Sequence, residues 1–103
     1  MSSSREYVEY VLDQLSGLGD VSCRQMMGEY VIYLRGKVIG GVYDDRFLLK
    51  ATPSAERLMP LAARELPYPG AREMLLADCL DDRETLERVA EAVYEELPPS
   101  KKR

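Results

Sequence analysis

The sequence predicts an α+β domain in two layers, with an antiparallel sheet of about five strands packed against N- and C-terminal helices in the order α-β-β-β-β-α-β-α. Three observations carry this. Apolar residues recur at helical spacing near both ends of the chain. Between them, from residue 21 to 51, apolar residues alternate or run at strand spacing. Two short turn signals, Arg35-Gly36 and Asp44-Asp45, cut that middle stretch into hairpins. At 103 residues the chain reads as a single domain, 1–103. A domain of this size buries roughly 65% of its unfolded surface, enough for one core without disulfides or a structural metal.

The first helix has Tyr7, Val8, Val11, Leu12 and Leu15 on one stripe. Ser3 with Glu6 three residues later reads as its capping box. Gly17 and Gly19 end it, because glycine accepts left-handed conformations. Gly17-Leu18-Gly19-Asp20-Val21-Ser22 has the outline of a dinucleotide loop. Its third glycine is a serine and it follows a helix where a strand is needed, so that reading falls. Strands are expected at 21–27, 29–34, 37–43 and 46–51, with Gly28 at a bulge or bend between the first two. Thr52-Pro53-Ser54 opens a short helix anchored by Leu58 and Leu61, although Pro60 removes a backbone donor there. Residues 66–70 are extended or turning. A fifth strand covers 73–79 with Met74, Leu75 and Leu76. The last helix starts at an Asp81–Glu84 capping box. It carries Leu86, Val89, Ala90, Val93 and Leu97 on its stripe and ends at Pro98-Pro99. Residues 98–103 are expected to be a disordered tail.

Two-residue turns fix a register. Tyr33 should pair with Val38 and Ile32 with Ile39, and Val42 with Phe47 and Gly41 with Leu48. One face then carries Val31, Tyr33, Val38, Gly40, Val42, Phe47 and Leu49 and should meet the helices. The other carries Tyr30, Ile32, Leu34, Lys37, Ile39, Tyr43, Arg46, Leu48 and Lys50. Its apolar middle, Tyr30, Ile32, Ile39, Tyr43 and Leu48, is the candidate contact surface for a partner or a second copy. The competing reading covers it with the short middle helix. Gly40-Gly41, mid-strand, is read as a bend or bulge beneath large cross-strand neighbours in preference to a ligand approach.

Composition narrows function mostly by exclusion. There is no histidine, hence no Ser-His or Cys-His pair and no neutral imidazole ligand. With 14 basic and 18 acidic side chains the net charge is −4, which makes a poor stand-alone duplex binder. Cys23 and Cys79 form no CxxC, and two thiols without histidine complete no usual zinc site. Both thiols are expected reduced and buried, in a cytoplasmic compartment. The polar start resembles no signal peptide, and no apolar run is long enough to span a membrane.

Arg24-Gln25-Met26-Met27-Gly28-Glu29-Tyr30 and Ile32-Tyr33-Leu34-Arg35-Gly36-Lys37 resemble the N-terminal domain of TfoX/Sxy proteins, whose pattern reads R-x-M-F-G-G-Y-G-L-Y-x-x-G-K. Phe47-Leu48-Leu49-Lys50 looks like a later strand of that family. The matching positions are Arg24, Met26, Gly28, Tyr30, Tyr33, Gly36, Lys37, Leu48 and Lys50. Met27 stands where the family has Phe, Glu29 and Val31 where glycines are common, and Asp45 replaces a turn glycine. The resemblance implies a two-layer α+β fold. It also implies kinship with regulators of natural competence that act with a transcription activator, the cyclic-AMP receptor protein. Those regulators add a C-terminal helical domain, and on this sequence the expectation is a stand-alone N-terminal domain without it. The resemblance brings no catalytic residue.

The remaining candidates have structural readings beside the chemical ones. Asp44-Asp45 suits a turn and Asp81-Asp82 a helix cap better than either suits acid–base work. Arg24 could activate Cys23, but strand alternation sends the two to opposite faces. Met26, Met27, Met59 and Met74 read as core filler before they read as an adaptable surface. Lys101-Lys102-Arg103 is a solvated terminus before it is a nucleic-acid footprint. No catalytic, cofactor or metal residue is assigned. The leading expectation is a non-enzymatic protein-interaction module, a transcriptional co-regulator with a protein partner, no direct nucleic-acid binding and no membrane. A small-molecule-binding or enzymatic domain and a structural homodimer are the alternatives.

Overall fold

The computed structural model describes residues 4–26 and 29–98. Helix α1, Arg5–Leu15, is capped by Ser4, whose hydroxyl accepts the Tyr7 N–H at 3.2 Å. The cap is therefore one residue later than expected, and Ser3 lies outside the described residues. A 3-10 turn, Ser16–Leu18, follows and ends at Gly19 with φ 99°. Strands β1 (Val21–Met26), β2 (Glu29–Leu34), β3 (Lys37–Val42) and β4 (Phe47–Lys50) form the expected meander. Then come helix α2 (Pro53–Leu58), β5 (Arg64–Glu65), β6 (Met74–Leu76) and helix α3 (Arg83–Glu96). The strands make one open antiparallel sheet in the order β1-β2-β3-β4-β6-β5. The sixth strand is β5, too short to carry a sequence signal. Gly28, where a bulge or bend was expected, and the tail from residue 99 lie outside the described residues.

Both hairpin turns form as read. Arg35 and Gly36 take φ 50° and 87°, and Asp44 and Asp45 take 55° and 57°. Positive φ at both central residues matches the right-handed twist of the flanking strands. Tyr43 and Arg46 close the second turn with reciprocal backbone bonds of 2.9 and 3.1 Å. Asp tolerates this backbone where most side chains do not.

The faces differ from expectation for one reason. Tyr33 pairs with Val38, Val42 with Phe47 and Gly41 with Leu48, as predicted, but Ile32 faces Gly40 rather than Ile39. Ile39 is an extra residue, a bulge on β3, and it exchanges the two faces of β2 relative to β4. Tyr30, Ile32, Leu34, Ile39, Val42, Phe47, Leu49 and Leu75 are buried in the core with Val8, Val11 and Leu15 of α1 and Leu86, Val89, Ala90 and Val93 of α3. Burying each of the larger apolar side chains stabilises the fold by about 1.5–3 kcal/mol. Val31, Tyr33, Val38, Gly41, Tyr43, Leu48 and Lys50 share the other face by register. The glycine pair is tied to this distortion. A Cβ on Gly40 would run into the Leu48 carbonyl oxygen, and one on Gly41 would stand 2.7 Å from both the Tyr43 ring and the Tyr30 carbonyl oxygen.

The short helix stops at Leu58, ahead of Pro60. Its expected anchors are wrong: Leu58 is exposed and Leu61 is 92% exposed, while Ala55 and Met59 are buried instead. Ala55 puts α2 into the core beside α3, so α2 belongs to the helical layer. Helix α3 is capped by Asp82, whose carboxylate accepts the Thr85 N–H at 3.3 Å and the Thr85 hydroxyl at 2.7 Å. Asp81, the expected cap, instead accepts the Tyr10 hydroxyl.

Candidate functional site

The segment 66–73 connects β5 to β6 and returns over the helix-free face of the sheet. Glu65, at its start, is ion-paired with Arg46 at the end of the second hairpin turn. Within it, the Ala71 N–H donates to the Tyr68 carbonyl at 3.1 Å and Gly70 takes φ 87°. Beneath it lie two adjoining cavities of about 490 Å³ each, both bounded by Tyr43, Pro67 and Tyr68. The first extends along Val38, Lys50 and Met74 to Leu97, with Arg72 and Glu73 supplied by the loop. The second extends along Glu29, Tyr30 and Val31 to Met26. Met26 and Tyr68 are 51% and 58% exposed at its rim. Burial raises the Tyr43 phenol above its ordinary pKa, so it is a hydrogen-bond donor at neutral pH.

The predicted contact surface does not assemble as a surface. Tyr30, Ile32 and Ile39 lie in the core under the helices, because the bulge turns them inward. Tyr43 and Leu48 sit on the opposite face, with Leu48 fully buried and Tyr43 half-buried. Of the five, Tyr43 borders both cavities and Tyr30 the second. The loop residues Pro67, Tyr68 and Arg72 had no distinguishing sequence signal beyond the Pro-Tyr-Pro-Gly turn composition.

Most positions of the family pattern turn out to hold the fold together. Gly36 supplies the positive φ of the first turn. Lys37 donates to the Tyr94 and Leu97 carbonyl oxygens at 3.2 and 3.0 Å and sits 4.3 Å from the Tyr94 ring centroid. It thus caps the C-terminus of α3, whose last turn holds no base of its own. Arg35 beside it pairs with Glu91 at 2.9 Å, donates to the Leu18 carbonyl and stacks over Tyr94. Tyr30 and Leu48 are buried and Tyr33 is half-buried. Arg24 and Met26 are exposed on β1, an edge strand, and Lys50 lines the first cavity. Gly28 lies outside the described residues.

Three of the four paired acids, Asp45, Asp81 and Asp82, have their carboxylates engaged in structural hydrogen bonds. Asp45 accepts the Ser4 N–H at 2.8 Å in its turn, and Asp44 donates its N–H to Glu29. Cys23 and Cys79 are free thiols, half-buried where full burial was expected. Burial pushes the Cys79 thiol up in pKa, with its sulfur 3.8 Å from that of Met59, so it is a poor nucleophile. The methionines divide: Met59 is core, Met74 lines the first cavity and Met26 is at the surface. Among the described residues no cluster of three or more metal-binding side chains occurs. No described helix is long and apolar enough to cross a membrane.

An open antiparallel sheet with helices on one face and a loop-roofed pair of cavities on the other defines a small two-layer α+β domain. The model of the TfoX N-terminal domain matches residues 13–97, and the chain belongs to that family. It is also 35% identical over 78 residues to an uncharacterised 12.7 kDa protein from the trpE 5′ region of Spirochaeta aurantia, covering 76% of this chain and 68% of that protein. No solved structure matches the chain significantly.

Proposed function

We propose that this chain is a non-enzymatic protein-interaction module of the competence-regulator kind. In this reading it is a cytoplasmic transcriptional co-regulator that makes no duplex contacts of its own. Its partner surface is the helix-free face around Met26, Tyr43 and Tyr68. The observation that carries this is the second cavity: about 490 Å³, lined largely by apolar and aromatic groups, with two large side chains half in water at its rim. Soluble domains rarely leave such side chains beside a cavity without a use, and aromatic anchors concentrate binding energy. The charge balance supports a protein partner over a nucleic acid, since the chain is −4 overall and its one basic run is Lys101-Lys102-Arg103. Family membership supports a regulatory context.

The test is capture from the native host with the immobilised full chain, followed by titration of the purified captured protein. Wild type should bind it at physiological salt, and the double variant Met26→Ser, Tyr68→Ala should lose that binding while keeping its melting temperature. Equal binding by the double variant would refute the surface. Tight binding of duplex DNA by the chain alone would refute the reading. Light scattering decides whether the partner is a second copy.

A further inference from the structure

We propose that the first cavity is a binding site for a small organic monoanion, with its acidic head at Lys50 and Arg72 and its apolar body along Val38, Met74 and Leu97. The cavity, about 490 Å³, is in the range that encloses small ligands. Its charge is the distinctive feature. In this acidic chain the other bases are largely spoken for: Arg5, Arg35, Arg46, Arg64 and Arg83 are in salt bridges, and Lys37 and Arg57 donate hydrogen bonds. Lys50 and Arg72 form no ion pair or side-chain hydrogen bond with a described residue, and both line this one cavity.

Lys50 is half-buried on β4, opposite Met74. A partly desolvated ammonium without a counter-charge is unfavourable, and an incoming anion relieves that cost. Arg72 adds a planar fork suited to two oxygens of one acid group. Glu73, from the same loop, also lines the cavity and is in none of the ion pairs among the described residues. It leaves the lining with one net positive charge, which suits a carboxylate or sulfonate better than a dianionic phosphate. The Tyr43 and Tyr68 phenols add donors to the wall, whereas the Thr52 hydroxyl is already engaged with the Ala55 N–H at 3.2 Å. The site goes beyond the partner surface proposed above. Tyr43 and Tyr68 border both cavities, but the charged anchors Lys50 and Arg72 lie outside the Met26 patch, so their variants test this site separately.

The experiment titrates the isotope-labelled full chain with benzoate and follows the backbone amides, with benzyl alcohol as the neutral counterpart and phenyl phosphate as the dianion. Benzoate should give saturable shifts centred on Val38, Gly40, Ala51 and Ala71, and bind about tenfold more tightly than benzyl alcohol. Lys50→Met, which keeps an aliphatic stem, and Arg72→Met, in the exposed loop, should each weaken benzoate about fivefold. Arg24→Met, an exposed base outside the cavity, should change nothing. Glu73→Gln should bring phenyl phosphate up to the affinity of benzoate. If Lys50→Met fails to fold, Arg72→Met carries the comparison alone. The proposal is overturned if benzyl alcohol binds as well as benzoate. It is also overturned if Arg24→Met weakens binding as much as the cavity variants, or if no saturable shifts appear up to the solubility limit.

Discussion

On the helix-covered face of the sheet, Ile32, Leu34, Phe47 and Leu49 are fully buried beneath α1 and α3. On the opposite face, Val31, Tyr33, Val38 and Tyr43 belong to the same strands, yet each keeps part of its surface in water. The first face is closed by two long amphipathic helices; the second is roofed by a loop, two tyrosines and a proline. The difference separates labour within a sheet one residue thick. Stability comes from the face whose apolar side chains interdigitate. On the other face Tyr43, Tyr68 and Lys50 keep part of their surface accessible, and the proposed contacts are placed there.

The contrast can be broken hardest at Ile39. Placed on the open face, Ile39→Asp would leave the fold intact; in the core it introduces a buried carboxylate without a partner. We expect a loss above about 4 kcal/mol, enough to unfold a domain whose stability lies at the low end of the usual 5–15 kcal/mol. Circular dichroism should show an unfolded chain, and a folded variant would return Ile39 to the open face. Next comes the bulge that divides the faces. Gly40→Ala forces a methyl group against the Leu48 carbonyl oxygen and should cost about 1–3 kcal/mol in urea unfolding. A neutral result would mean that β3 shifts freely at this point.

The open face should respond far less. Tyr68→Ala removes a side chain that is 58% exposed and should change unfolding free energy by no more than about 0.5 kcal/mol. A larger loss would make the loop part of the core. The smallest effect separates the faces by pH. On the helical side, Asp82 is held below its ordinary pKa by the hydrogen bond from the Thr85 hydroxyl and then by the backbone N–H. A depressed carboxylate contributes stability that is present above its unfolded pKa and lost as pH falls through the folded one. Wild type should therefore lose stability on acidification below about pH 4 more steeply than Asp82→Asn, which keeps a capping oxygen without the proton uptake. Parallel acid profiles would remove Asp82 from that account.

Both terminal helices were legible because their stripes span several turns, and both hairpins because two-residue turns with Gly or Asp leave few alternatives. The caps were misplaced by one residue, since Ser3 and Ser4, and Asp81 and Asp82, are chemically equivalent in sequence. The faces were misassigned where Ile39 adds one residue to β3, a distortion that a strict alternation of two cannot represent. The same error put three of the five expected contact residues under the helices, and a fourth, Leu48, is buried on the other face. Lys50 emerged through the family pattern, but its cavity did not, because the walls come from a loop whose path depends on tertiary contacts. Lys37 shows the converse: a motif residue whose task, capping α3, becomes visible only when β3 and α3 meet.

The connection between β5 and β6 has a consequence for how the fold tolerates change. Residues 66–73 wall both cavities, yet none of them belongs to the buried core. Their ends are held in register by Glu65 opposite Met74 and by the pairing of Arg46 with Glu65. A segment hinged on paired strands can be exchanged or lengthened cheaply, at about 0.6 kcal/mol for each doubling of its length. It is a replaceable cassette, a place where the chain can change length or sequence while the strands that anchor it keep the same scaffold.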